Sequence, residues 1–172
     1  MKFRFLPIIL IIFFLAVFIT FYIGLKNYNI YIPKENIEKK IPFLKVKTFE
    51  HDYEVRLDQI FKDNKFYLMN IWSSWCIPCR DEHKFLMELS KNPKLEIIGL
   101  NYKDNDVNAK NFLNQLRNPY KTIIYDKNGT IAIEWGAYGV PESFLVHKNK
   151  IIKKIIGPLN ENLLIEIKNI IK

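Results

Sequence analysis

The chain has 172 residues and a formal net charge of +8, and 49% of its residues are hydrophobic. This composition excludes an intrinsically disordered chain and leaves room for one globular domain with a hydrophobic core. The lysines are scattered and form no basic stripe with interleaved aromatic residues, so no nucleic-acid partner is expected.

The first feature along the chain is an uncharged apolar stretch over residues 5–25. At about 1.5 Å per residue it is long enough to cross a hydrocarbon core of about 30 Å. Residues 1–4 carry Lys2 and Arg4, which the positive-inside rule places in the cytoplasm. A cleaved signal peptide is the alternative, but no small-x-small triplet follows the stretch, so an uncleaved single-pass transmembrane anchor is favoured.

Residues 26–40 are polar and contain Pro33, which predicts a linker between the anchor and a domain over residues 41–172. The domain begins with short extended pieces around Leu44, Val46 and Phe49, followed by an amphipathic turn that starts near Leu57.

From residue 66 onward, strand and helix patterns alternate. The predicted strands cover residues 66–72, 95–100, 122–125, 142–147 and 151–156, the last two joined as a hairpin across Lys148-Asn149. Helical patterns run from Cys76 to Asn92-Pro93, from about residue 104 to 116 with Val107 among the inward-facing residues, and from Asn160 to the C-terminal region. Residues 131–137 form a connecting segment. This order predicts an α/β fold with a mixed central sheet flanked by helices.

Cys76 and Cys79 are the two cysteines of the chain, and they follow a buried strand at the start of a helix. Unpaired N–H groups and the helix dipole at that position favour a thiolate, which is the nucleophile in thiol–disulfide exchange. We expect Cys76 to attack a disulfide and Cys79 to resolve the mixed disulfide.

Metal binding by the two thiols is the competing interpretation. A zinc site needs two further ligands, and the histidines are His51, His83 and His147, each expected to be a surface or packing residue. Copper delivery by the two thiolates with His83 or His147 stays open as a minor alternative, whereas no metal and no cofactor are expected in the main interpretation.

Two sequence elements resemble a known family. The segment from Asn70 to Arg80, with Trp72, Trp75 and the Cys-x-x-Cys pair, resembles the active site of the thioredoxin superfamily. Residues 136–144 (Gly-Ala-Tyr-Gly-Val-Pro-Glu-Ser-Phe) resemble the Gly-x-Tyr-Gly-x-Pro-Glu-Thr-Phe element of the DsbE/CcmG thiol:disulfide interchange proteins of cytochrome c biogenesis. Residues 99–104 and 118–120 match the same family in the same order.

The resemblance implies a thioredoxin-like fold and assigns further site residues. Pro141 corresponds to a cis-proline that faces the disulfide, and Glu82 to the buried acid that accepts the proton of Cys79. Substrate-groove residues are, by the same resemblance, Trp75, Tyr138, Val140 and Glu142. For Glu142, a solvated acid at the start of a strand is the alternative, and for Glu82 a surface glutamate.

The resemblance also implies a location and partners. The domain would face the periplasm from the bacterial inner membrane and reduce apocytochrome c or a partner thiol protein of cytochrome c maturation. A membrane electron donor of the DsbD/CcdA type would supply electrons, because an oxidising periplasm would otherwise oxidise the pair. A less specialised periplasmic thiol reductase or oxidase is the alternative enzyme.

Overall fold

The structure is a computed structural model that describes residues 6–26, 39–50, 53–61 and 64–172. The chain divides into two compact units, Met1–Pro33 and Lys34–Lys172. Most of the predicted linker lies outside the described residues. Its last two residues belong to the folded domain, because Lys40 pairs with Lys150 and the carbonyl of Lys39 accepts a hydrogen bond from the N–H of Ile151. Ordered structure therefore extends two residues further toward the N-terminus than expected.

The first unit contains helix α1, Leu6–Lys26. Among the described residues it is the one helix whose length and apolar composition suffice to cross a membrane, over Leu6–Leu25. An uncleaved anchor and a signal sequence both have these properties, so the choice of an anchor stays a prediction.

The second unit is built around a five-stranded mixed sheet of order β5-β4-β3-β6-β7. Its strands are β3 Phe66–Trp72, β4 Leu95–Tyr102, β5 Thr122–Asp126, β6 Glu142–His147 and β7 Lys150–Ile156. Strands β3, β4 and β5 are parallel, while β6 runs antiparallel to both β3 and β7. The β6–β7 turn, Lys148-Asn149, has positive φ at both residues, as a tight two-residue hairpin turn requires.

Helices cover both faces of this sheet, and a small two-stranded antiparallel ribbon precedes it. The ribbon is β1 Lys45–Lys47 and β2 Glu54–Arg56, and the helices are α2 Leu57–Ile60, α3 Ile77–Leu89, α4 Asp106–Leu116, α5 Thr130–Glu134 and α6 Glu161–Ile170. The strand order and the mixed pairing confirm the predicted α/β, thioredoxin-like fold.

Strand β3 separates two hydrophobic clusters, which explains its almost unbroken apolar sequence. Leu68 and Trp72 pack into the cluster that contains both cysteines, whereas Tyr67, Met69 and Ile71 pack into the cluster on the opposite face. Because successive side chains alternate between faces, a strand covered on both sides must be apolar throughout. The one amide in β3, Asn70, is the exception that leads into the functional site.

Two predictions about the helices are wrong. Val107 is 64% exposed, because it lies about 200° around α4 from the buried Ala109 and so faces solvent. Residues 131–137 do not form a plain connection, since α5 occupies Thr130–Glu134. This short helix begins where the carboxylate of Asp126 accepts hydrogen bonds from the N–H groups of Ile131 and Ala132.

Candidate active site

The two cysteines lie at the start of α3, just after the connection from β3, and are joined by a disulfide bond. Cys76 is the N-terminal cap of α3, and the N–H of Cys79 donates a hydrogen bond to its Sγ at 3.1 Å. Pro78 lies in the first turn, where its missing N–H costs no helical hydrogen bond. Both cysteines are almost fully buried, while Trp75 and Ile77 beside them are 57% and 75% exposed. The surface beside the disulfide is therefore formed in part by these two exposed apolar side chains.

A buried carboxylate on the neighbouring strand end fixes the segment that leads to Cys76. The carboxylate of Asp104 accepts hydrogen bonds from the N–H of Ser74 at 2.6 Å and from its hydroxyl at 2.7 Å. It also accepts from the side chain of Asn101 at 2.9 Å and from the N–H of Asn105 at 2.8 Å. Sequence reasoning did not name Asp104 as a site residue. The available signal was a pair of polar segments at the ends of two adjacent parallel strands.

Glu82 is fully buried on α3, three residues after Cys79, so the surface alternative is wrong. Its Oε1 accepts a hydrogen bond from Asn70 Nδ2 at 2.8 Å, and its Oε2 accepts one from the N–H of Leu159 at 2.7 Å. Burial raises the pKa of Glu82 from 4.5 to about 7, with the hydrogen bonds from Leu159 and Asn70 opposing the rise. A carboxyl group with this pKa exchanges a proton readily near neutral pH.

Two further buried polar groups extend this arrangement. The hydroxyl of Tyr120 donates to Asn70 Oδ1 at 2.9 Å, and Asn70 Nδ2 also donates to the hydroxyl of Ser143 at 3.0 Å. Sequence reasoning placed Asn70 and Tyr120 in family motifs but gave them no role. An asparagine inside an otherwise apolar strand was the signal for a buried polar contact.

The proline segment lies at the same edge of the sheet as the disulfide. Because β6 runs antiparallel to β3, with Glu142 opposite Ile71, Pro141 lies beside the end of β3. The Val140–Pro141 peptide bond is cis, and Val140 packs against the cluster that contains both cysteines. The structure thus places Val140 and Pro141, which were predicted to face the disulfide, at the end of β3 that leads to the cysteines.

Glu142 is only 2% exposed, so the solvated-acid alternative is wrong. Its Oε1 accepts hydrogen bonds from the N–H groups of Tyr138 at 2.6 Å and Gly139 at 3.0 Å, and its Oε2 pairs with Lys154 Nζ at 3.0 Å. Lys154 also donates to the carbonyl of Gly136 at 2.7 Å and lies 4.1 Å from the ring centre of Tyr138. Glu142 and Lys154 therefore hold the backbone of residues 136–139 through buried contacts. The Tyr138 side chain itself is 63% exposed.

The described histidines do not approach the cysteines as a ligand set. His83 is buried, its Nε2 is 2.9 Å from the carbonyl of Arg117, and burial lowers its pKa. His147 stacks on Phe66 at the start of β3, about 20 Å along the strand from the end that leads to the disulfide. His51 lies outside the described residues. In the described part of the chain, no group of three or more His, Cys, Asp or Glu side chains is arranged to hold a metal ion.

The sheet is thioredoxin-like and carries a Cys-x-x-Cys disulfide at the N-terminus of α3. The same helix carries a buried carboxyl group of raised pKa. Together these features define the molecule as a thiol–disulfide oxidoreductase. Comparisons with known proteins agree with this class. Residues 37–170 match the Redoxin family. A crystal structure of a putative thiol:disulfide interchange protein DsbE from Chlorobium tepidum superposes with a TM-score of 0.67 at 22% identity, covering 79% of this chain and 98% of that one.

Sequence relatives narrow the class further. The probable thiol:disulfide interchange protein DsbE-2 of Pasteurella multocida is 37% identical over 158 residues, which cover 91% of this chain and 81% of that protein. The thiol:disulfide interchange protein CycY of Rhizobium leguminosarum bv. viciae is 52% identical over 95 residues, which cover 55% of this chain and only about half, 51%, of that protein. The chain therefore belongs to the redoxin family, as a DsbE-type member of the thioredoxin superfamily.

Proposed function

We propose that this chain is a membrane-anchored periplasmic thiol–disulfide reductase that reduces apocytochrome c, or a partner thiol protein, during cytochrome c maturation. The observation that carries the proposal is the disulfide at the start of α3 with the buried carboxyl group of Glu82 on the same helix. Helix α1 supports the anchor, and the resemblance to interchange proteins of cytochrome c biogenesis supports the substrate class.

The first chemical step begins from the dithiol form. The N-terminus of α3 and the N–H of Cys79 favour a thiolate at Cys76. This thiolate attacks one sulfur of the substrate disulfide, whose S–S bond breaks as a mixed disulfide with Cys76 forms. The other substrate sulfur leaves as a thiolate and takes a proton from water.

The second step releases the reduced substrate. Cys79 transfers its proton to the carboxylate of Glu82 and attacks the Cys76 sulfur of the mixed disulfide. The Cys76–Cys79 disulfide forms, and the second substrate sulfur leaves as a thiolate. The substrate has then gained two electrons that the cysteine pair has lost. The sequence has two cysteines, Cys76 and Cys79, so it offers no second pair to reduce their disulfide. A membrane donor of the DsbD/CcdA type therefore returns two electrons to the pair.

A deletion strain of a bacterium that makes c-type cytochromes tests the substrate class. Loss of haem-bound cytochrome c in the deletion, with recovery on adding a permeant thiol reductant, is the expected result because the defect is a lack of reducing power. The full-length chain should restore maturation, the Cys76→Ser variant should not, and the variant Lys110→Gln, altered on the exposed side of α4, should act as wild type. Normal cytochrome c in the deletion strain, together with accumulation of oxidised thiols in other periplasmic proteins, would instead identify a less specialised reductase.

The anchor needs a separate test. The full-length chain should stay in the membrane fraction after carbonate extraction, and the domain should become protease-accessible when the outer membrane is opened. Release into the soluble fraction with loss of the N-terminal segment would identify a cleaved signal peptide.

A further inference from the structure

We propose that Asn70 and Tyr120 are positioning residues for the proton acceptor: Tyr120 holds and polarises the Asn70 amide, whose NH₂ group orients Glu82 and stabilises its ionised form. The inference rests on the proposed reductase function, because it concerns the group that takes the proton of Cys79. It assigns roles to two residues that lie on β3 and in the segment before β5, outside the Cys-x-x-Cys helix.

The hydrogen bonds define a single direction through the three side chains. A carbonyl oxygen only accepts, so the hydroxyl of Tyr120 donates to Asn70 Oδ1, at 2.9 Å. The amide nitrogen of Asn70 then donates both of its hydrogens, one to Glu82 Oε1 at 2.8 Å and one to Ser143 at 3.0 Å. Every polar atom of the Asn70 side chain is used, and a donor faces the carboxylate.

These hydrogen bonds favour the ionised form of Glu82 and so oppose the effect of burial on its pKa. The second carboxylate oxygen accepts the N–H of Leu159, so each of the two oxygens accepts a hydrogen bond. Hydrogen bonds to an ionised group are stronger than those to a neutral one. Hydrogen bonds in a chain also polarise one another, so donation by Tyr120 strengthens the bond from Asn70 to Glu82.

The location of Asn70 argues against a role in packing alone. Its neighbours on the same face of β3, Leu68 and Trp72, are apolar and fully buried, and an apolar residue would continue that face. An amide in this position needs partners for all of its polar atoms. The chain supplies them from three other elements, and the one titratable partner of the Asn70 amide nitrogen is Glu82.

The surroundings make Glu82 the group that titrates here near neutral pH. The pKa of Tyr120 is raised well above its ordinary value by burial and by the charge of Glu82, so the phenol stays neutral. Cys79 does not titrate while it is in the disulfide. His83 is the next residue on α3; burial lowers its pKa, and its Nε2 lies 2.9 Å from the carbonyl oxygen of Arg117. The remaining groups that meet Glu82 or its amide partner do not titrate: the Asn70 amide from β3, the Ser143 hydroxyl from β6 and the Leu159 N–H from the segment before α6.

The test measures the titration of Glu82 in the oxidised full chain in non-ionic detergent, by NMR of ¹³C-labelled glutamate carboxyl groups, with Glu82→Gln identifying the signal. Asn70→Leu should raise the pKa of Glu82 by about one to two pH units, the effect of losing one hydrogen bond to a charged group. Tyr120→Phe, which keeps the ring, should raise it by a smaller amount. Ser143→Ala is the matched control, because it removes a partner of the same amide but leaves the donor to Glu82 in place.

The rate readout separates this inference from the proposed function. The pH profile for reduction of a disulfide-containing haem-site peptide by the reduced chain should shift in the same direction and by the same amount as the titration. An unchanged Glu82 titration in both Asn70→Leu and Tyr120→Phe, with the fold intact by circular dichroism, would overturn the inference and leave the proposed function standing. A different result would also overturn the inference: the Glu82 titration shifts in the Asn70 and Tyr120 variants, but Glu82→Gln leaves the pH profile of peptide reduction unchanged. Glu82 would then not be the proton acceptor, and Asn70 and Tyr120 would have no positioning role.

Discussion

The buried carboxyl group of Glu82 makes the stability of the domain depend on pH, and Glu82→Gln should abolish that dependence. In the unfolded chain the carboxyl group titrates at its ordinary pKa of 4.5, whereas in the folded chain the pKa is about 7. Between these values the folded state binds a proton that the unfolded state has lost. The free energy of unfolding therefore falls as the pH rises from 4.5 to 7, and is constant with respect to this group outside that range.

The size of the effect follows from the shift. A difference of about 2.5 pH units, at about 1.36 kcal/mol each, gives a loss of about 3 kcal/mol between pH 4.5 and pH 8. Glu82→Gln cannot ionise and lacks this contribution. The free energy of unfolding of the variant will also differ from that of wild type by an amount that does not depend on pH. The carboxylate accepts hydrogen bonds from Asn70 Nδ2 and from the Leu159 N–H, and the NH₂ group of the glutamine would face one of these two donors.

Urea unfolding of the oxidised full chain in non-ionic detergent, followed by tryptophan fluorescence at several pH values from 4.5 to 8, measures both curves. The gap between wild type and Glu82→Gln should change by about 3 kcal/mol across this range, in favour of the variant at high pH. Parallel curves would refute the reasoning, because they would mean that burial does not raise the pKa of Glu82.

Three further substitutions test the rest of the site. Cys79→Ser should accumulate a mixed disulfide with substrate protein on non-reducing gels, because the attacking thiolate of Cys76 remains while the resolving thiol is gone. Lys154→Met should lower the free energy of unfolding in urea by about 3–5 kcal/mol, since it leaves the carboxylate of Glu142 buried without its cation. Asp104→Asn should cost about 1–3 kcal/mol in the same assay and slow peptide reduction, because the new amide NH₂ group would face donors that the carboxylate now accepts, the Ser74 N–H before Cys76 and the Asn101 side chain on β4.

Each of these has a matched control. Cys76→Ser should trap nothing, and trapping by Cys76→Ser instead would reverse the assigned roles of the cysteines. Lys153→Met removes a partly exposed ion pair with Glu166 and should cost less than about 1 kcal/mol; an equal loss in both lysine variants would contradict the buried pair. Asp106→Asn removes the exposed ion pair with Lys127, and a cost as large as that of Asp104→Asn would argue against the role given to Asp104.

The sequence predicted the sheet well because its strands carry strong local signals. Strand β3 is an almost continuous apolar run that stops at polar residues, and its bounds, Phe66–Trp72, are those expected from the pattern. The hairpin turn at Lys148-Asn149 likewise follows from two apolar runs separated by two polar residues. Local patterns of this kind need no knowledge of the rest of the fold.

The contacts that define the site could not be read from such patterns. Tyr120 and Asn70 are 50 residues apart, and Leu159 is 77 residues from Glu82. Asn70 lies on β3, Tyr120 precedes β5 and Leu159 precedes α6, so these groups meet only when the sheet has formed and α6 has packed against α3. Helix α5 was missed for a related reason, because a helix of five residues has little periodicity and depends on Asp126 at the end of β5 to bind its first N–H groups.

The hydrogen bond from Leu159 to Glu82 has a consequence for the order in which the site is completed during synthesis. A chain emerges from the ribosome N-terminus first, so Cys76, Cys79 and Glu82 are made long before Leu159. Until the segment before α6 packs against α3, the Leu159 N–H cannot reach Glu82, and the carboxyl group lacks one of its two described donors. The hydrogen bonding of Glu82 is therefore completed by a segment made 77 residues later in the chain, well after both cysteines.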